Sequence, residues 1–258
     1  LTSRDFLWPL IIGLIFSLFI ILPVLAIFFN LTPTDFLNSI KEPIVTEALR
    51  LSAVTTVISS VIVILLGTPL AYILARAEFK GKKILDAIID LPMVLPPSVA
   101  GLALLMAFGR RGLLGNYLSF FGIEIPFTTT AVIMAQIFVA APFFIRSAKS
   151  GFSTLDPFME QASLTLGRTP WQTFFKVSLP LSFPSLFGGA VMTWARALGE
   201  FGATIMFAGN LSGITQTLPL AIYTAMEKDL SLALAMSAIM IVFSFMVLFL
   251  VKVVLRQA

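Results

Sequence analysis

Six stretches of this chain run without Asp, Glu, Lys or Arg for about the length needed to cross a bilayer: Phe6–Phe29, Leu51–Ala75, Leu91–Gly109, Ile125–Ile145, Val177–Ala195 and Leu230–Val251. A helix crossing about 30 Å of hydrocarbon needs roughly 20 apolar residues. The runs predict an all-α integral membrane protein of about six transmembrane helices. The fifth is expected to continue past Arg196 and Glu200 to about Ala208. The first is too long for the apolar core of a signal peptide and lacks a small-residue cleavage site, so it reads as a retained span. Composition points the same way. The chain is 58% hydrophobic and 12% charged, against about 45–50% and 25% in soluble domains, so most of its surface does not face water.

Cysteine and histidine are both absent, which excludes disulfides, thiol catalysis, histidine acid–base chemistry and Cys/His metal sites. No GxxxxGK[ST] run supplies a phosphate-cradling loop. The net charge of +4 comes from basic residues scattered through short loops, so it speaks for topology and not for nucleic acid. With six spans both termini lie on one side. Placing them in the cytoplasm puts Arg4, Arg76, Lys80, Lys82, Lys83, Arg146, Lys149, Arg168, Lys176, Lys252 and Arg256 inside, and Lys41, Arg50, Arg110, Arg111 and Lys228 outside. This satisfies the positive-inside rule. The uncharged stretch Phe201–Met226, broken by Gly209, Asn210, Gly213 and Pro219, reads as a re-entrant or extracellular segment. No soluble domain, low-complexity tract or internal repeat is expected.

The loop between the fourth and fifth runs is built to be rigid. Asp156 is a good N-cap, and Pro157 fits the first helical position, where its missing N–H costs nothing. Gly167 supplies a left-handed stop. Thr169-Pro170-Trp171-Gln172 then reads as a capping box that opens another helix, which Pro180 interrupts. Phe158, Met159, Leu164 and Leu166 make the first helix unusually apolar for a loop. Two readings are open: an amphipathic helix on lipid headgroups, or a helix that fills a groove on a soluble subunit.

The loop resembles the coupling-helix motif of binding-protein-dependent ABC importer permeases: Glu-Ala-Ala, a Gly six residues after the Glu, and an Ile/Leu-x-Leu-Pro ending. Gly167 sets the register, which puts Gln161 at the Glu position and Ala162 and Ser163 at the two Ala positions. Glu160 lies one residue early, and Val177-Ser178-Leu179-Pro180 closes the pattern. Arg196-Ala197-Leu198-Gly199-Glu200-Phe201-Gly202-Ala203-Thr204 is similar to a stretch of molybdate and tungstate permeases, with sulfate permeases close behind. Leu91-Pro92-Met93-Val94-Leu95-Pro96-Pro97 and Gly109-Arg110-Arg111-Gly112-Leu113 resemble their third-span region.

The resemblance implies a type I importer permease fold: a first helix and extracellular loop over residues 1–46, then a permease core over 47–255 with its coupling loop at about 155–171. It implies a non-catalytic subunit for molybdate or tungstate, or alternatively sulfate or thiosulfate, in the plasma or inner membrane. The subunit would work as a homodimer and dock cytoplasmic ATPases through Phe158, Met159, Glu160, Gln161, Ala162, Ser163, Leu164 and Gly167. An extracellular or periplasmic binding protein would deliver the substrate. The chain would hold no cofactor, ATP and Mg belonging to the ATPase. A stand-alone transporter or channel predicts buried coupling carboxylates or an inverted repeat, and only Glu200 answers to that.

Arg196 and Glu200 are four residues apart on one helical face. Charges inside a bilayer are costly and usually face protein, so the pair either braces its span or lies beside a translocation path. A dianion crossing there is better served by hydroxyls than by a strong cationic trap, since conduction needs weak sites. Thr193 and Thr204 are the candidates. Pro92, Pro96 and Pro97 should kink or unwind the third span, and Gly188-Gly189 could let helices approach closely. The sequon-like Asn30-Leu31-Thr32 and Asn210-Leu211-Ser212 read as ordinary loop sequence.

Overall fold

The computed structural model describes residues 7–257, without the side chains of residues 7, 250–252 and 254–257. Arg4 and Phe6 therefore lie outside the described residues, as do the side chains of Lys252 and Arg256. The helices are α1 (Leu7–Phe29), α2 (Pro33–Ser39), α3 (Pro43–Arg76), α4 (Lys82–Val94), α5 (Pro97–Phe108), α6 (Gly115–Phe120) and α7 (Thr129–Thr154). After these come α8 (Pro157–Thr165), α9 (Pro170–Leu181, with a π-helical turn at Phe174–Ser178), α10 (Phe183–Leu198), α11 (Gly202–Phe207), α12 (Leu218–Met226) and α13 (Leu230–Gln257). No strand occurs among the described residues.

Helix α7 is the axis of the fold, packed between α3 and α10. At its C-terminal end Phe144, Ile145, Ala148 and Phe152 bury against Val63, Ala71 and Leu74 of α3 and Leu186 of α10. Toward its start, Ala131, Val132, Ala135 and Val139 meet Ala100 and Leu104 of α5 and Ala203 and Phe207 of α11. Small residues set the helix spacing: a Cβ on Gly189 would stand 2.8 Å from the Ser147 Cβ, so α10 approaches α7 closely there. Gly188, expected to share that role, opens onto free space.

Four helices (α1, α3, α7, α13) are long and apolar enough to cross a membrane, and two bent pairs bring the number to six if each counts as one span. The bends correct the sequence reading. The third run does not form one span from Leu91: α4 already begins at Lys82, and α5 departs from it at 118°. Proline explains the break, because Pro96 holds Leu95 extended (ψ 136°) and Pro97 has no N–H to continue a helix. Pro92, by contrast, sits inside α4 without ending it. The early start puts Lys82, Lys83, Asp86 and Asp90 on this arm, and the two aspartates pair with Lys149 and Arg146 of α7.

The fifth run is likewise two arms, α9 and α10, bent by 71° around Ser182 between Pro180 and Pro184. Val177 belongs to the first arm. The second does not reach Ala208: it stops at Leu198, and the Glu200 carboxylate accepts the Ala203 N–H at 2.8 Å to start α11 afresh. The fourth span starts after Phe127 (φ 61°) at the Thr128 cap and continues past Arg146 and Lys149. Stretch 201–226 forms only α11 and the nine-residue α12. At about 14 Å, α12 is too short to cross.

Candidate functional site

The polar loop folds as its caps dictate. Asp156 Oδ1 accepts the Phe158 N–H at 2.9 Å and starts α8. Gly167 ends it with φ +85°, and the Gly167 and Arg168 N–H groups donate to the carbonyls of Leu164 (2.9 Å) and Ser163 (3.3 Å). A side chain at 167 would have room, so the left-handed backbone alone favours glycine there. Thr169 and Gln172 form the reciprocal capping box, with bonds of 3.3 and 3.1 Å. Within α9, Pro180 cannot donate a hydrogen bond, and the Leu179 N–H reaches back five residues to the Phe174 carbonyl.

The expected coupling residues divide between two faces of α8. Phe158 (73% exposed), Met159, Gln161, Ala162 and Leu164 face away from the protein, and Leu166 (84% exposed) extends that apolar surface beyond the helix end. Glu160 and Ser163 face inward. Ser163 is buried and shares a 2.9 Å hydrogen bond with Thr173 of α9. Glu160 Oε2 lies 3.0 Å from Arg76 Nε at the end of α3, and its Oε1 accepts the Ser178 hydroxyl at 2.6 Å. The Tyr72 hydroxyl stands 3.5 Å from the same oxygen. Arg76 also donates to the Leu155 carbonyl at 3.2 Å, which ties down the entry to α8.

Beneath this node lies an aromatic cluster, with Tyr72 edge-on to Phe152 (5.2 Å) and Phe174 (4.8 Å) and Trp171 edge-on to Phe175 (4.7 Å). Sequence reasoning missed Tyr72, Arg76, Thr173 and Ser178. Arg76 is the last residue of its helix and Ser178 lies inside the Leu-Pro ending, but nothing local says that they meet Glu160.

The second candidate cluster is separate. Arg196 is 14 residues past the α9–α10 bend, about 21 Å along the helix. Its Nη2 pairs with Glu200 Oε2 at 2.7 Å, and the two side chains are 29% and 1% exposed. Glu200 thus holds Arg196 and caps α11 at once. Thr193 is fully buried, donating to the Ala140 carbonyl at 3.4 Å, and Thr204 is fully buried with no hydrogen-bond partner for its hydroxyl. Among the described residues no group of three or more carboxylates could hold a metal ion.

Residues 67–257, which include the loop, both bent spans and the Arg196–Glu200 pair, match the family described as binding-protein-dependent transport system inner membrane component. The chain belongs to that family. It is 42% identical to the molybdenum transport system permease protein ModB of Mycobacterium tuberculosis, over 91% of this chain and 88% of that protein. It is 40% identical to the molybdate/tungstate transport system permease protein WtpB of Pyrococcus abyssi, over 76% and 75%. Its fold matches a bacterial alginate ABC transporter solved in complex with an alginate pentasaccharide-bound periplasmic protein: TM-score 0.77 at 15% identity, covering 99% of this chain and 96% of that one. It is thus a multi-pass membrane component of a transport system, with the fold of ABC importer permeases, and not an enzyme. Family membership sets aside the stand-alone transporter or channel.

Proposed function

We propose that this chain is the membrane-spanning subunit of an ATP-driven importer for molybdate or tungstate, and that α8 is the part through which a cytoplasmic ABC ATPase drives it. The observation that carries the coupling role is the outward apolar face of Phe158, Met159, Leu164 and Leu166 on a helix capped at both ends and tied to two spans. A helix face of this kind suits a groove on a protein partner. The substrate class rests on the two relatives named for molybdenum and for molybdate/tungstate.

In this reading residues 1–46 form a first anchor and residues 47–255 the permease core. The α8 end and both termini face the cytoplasm, two copies assemble around one path, and a periplasmic binding protein loads the opposite face. Closure of the ATPases draws the two α8 helices together, and each pushes on its own α3 and α9. Arg196, partly exposed and neutralised by Glu200, borders the path without becoming a cationic trap. Thr193 and Thr204 are buried within the single chain, and they serve the path only if the pair of copies opens that seam. ATP and Mg belong to the ATPase.

The test is to purify the chain with its copurifying ABC ATPase and reconstitute both in liposomes. Molybdate-loaded binding protein is expected to raise ATP hydrolysis, and tungstate to do likewise. Absence of any ABC ATPase in the purified complex, with no stimulation, defeats the proposal. Stimulation by sulfate-loaded binding protein alone moves the substrate to sulfate.

A further inference from the structure

We infer that Glu160 is a positioning residue: its carboxylate joins α3, α8 and α9 into one body, so that displacement of α8 moves both spans, and it makes no contact with the docked partner. The inference rests on the proposed coupling role of α8. Three observations support it. First, the carboxylate points inward, with Glu160 and Arg76 only 14% and 19% exposed, while the neighbouring Gln161 faces out. Second, its two oxygens serve different elements, Oε2 taking Arg76 of α3 and Oε1 taking Ser178 of α9. Third, Arg76 holds the Leu155 carbonyl as well, so α8 is fixed at its entry and its first turn by one guanidinium. An ion pair this sheltered, with a hydroxyl completing its bonding, is strongly coupled to its surroundings, and removing one partner leaves the other uncompensated.

Because the chain has no cysteine, spin labels on Met159→Cys and Glu78→Cys report directly on how α8 sits against the end of α3. In the purified chain alone a narrow distance distribution is expected, broadening in Glu160→Gln. An unchanged distribution overturns the inference whatever the ATPase does. In the reconstituted complex, Glu160→Gln should retain the ATPase like wild type but lose molybdate transported per ATP hydrolysed. The reversed pair Arg76→Glu with Glu160→Arg should recover part of that loss. Loss of ATPase retention in Glu160→Gln would make Glu160 a docking contact. Unchanged transport per ATP, or no recovery in the reversed pair, would also overturn the positioning role. Failure of the wild-type chain to retain any ABC ATPase would instead count against the proposed function, leaving the spin-label result to decide the geometry.

Discussion

Helix pairs α4–α5 and α9–α10 both turn where proline removes backbone donors, by 118° and 71°, yet the charge pairs that help secure their first arms differ in shelter. Arm α4 packs Leu85 and Ile89 against the α7 core and adds two ion pairs, Asp86–Lys149 and Asp90–Arg146, whose side chains remain in part open to solvent. Arm α9 is held by the Tyr72–Phe152–Phe174 cluster and by the sheltered Glu160 clamp. Charge pairs near a surface are weak and screened by salt, whereas aromatic packing is neither. The proline device alone therefore does not say how firmly an arm is set. In the proposed transport cycle α9 is the stiff link to the docking helix, and α4 is the arm whose hold depends in part on exposed charge pairs.

The largest expected effect breaks the stiff arm. Phe152 is fully buried under Tyr72 and Phe174, so Phe152→Ala should cost about 3–5 kcal/mol, seen as a lower unfolding temperature in detergent. Next is the capping box that starts α9. Thr169→Ala should cost about 1 kcal/mol and speed amide exchange across residues 157–173. On the other arm, Asp90→Asn should cost at most about 1 kcal/mol and speed exchange only in α4. Wild type in 1 M salt, where the screening length is about 3 Å, should show the same loosening of α4 while α9 keeps its protection. Equal salt sensitivity in both arms would erase the distinction. The smallest effect is expected at Thr204, whose buried hydroxyl has no partner. Thr204→Val removes an unsatisfied group while keeping the shape, and should leave the unfolding temperature unchanged or slightly raised.

What could be read in advance follows the range of the interactions. The loop was legible because Asp156, Pro157, Gly167 and the Thr169–Gln172 box each act within a few residues of themselves, and all four do in the fold what their local chemistry requires. The start of α4 was not legible. Asp86 and Asp90 look like the end of a loop until they meet Lys149 and Arg146, 63 and 56 positions away in sequence. The same distance hid the role of Glu160. Its partner Arg76 lies on another span, so spacing within the loop could only place it beside the motif position held by Gln161. The stop at Leu198 is hidden for a related reason: the four-residue spacing marks Glu200 as a partner for Arg196, but its other oxygen caps α11.

The orientation of α8 can be tested by photo-crosslinking from the chain's sole cysteine in a Met159→Cys variant, with a benzophenone label, in the reconstituted complex. The outward apolar face predicts a crosslink to the ABC ATPase from Met159→Cys and none from Ser163→Cys, whose position is buried against Thr173. Label transferred from Met159→Cys to lipid alone, with the ATPase present and unmodified, would contradict the docking role and make α8 a helix that lies on the membrane surface.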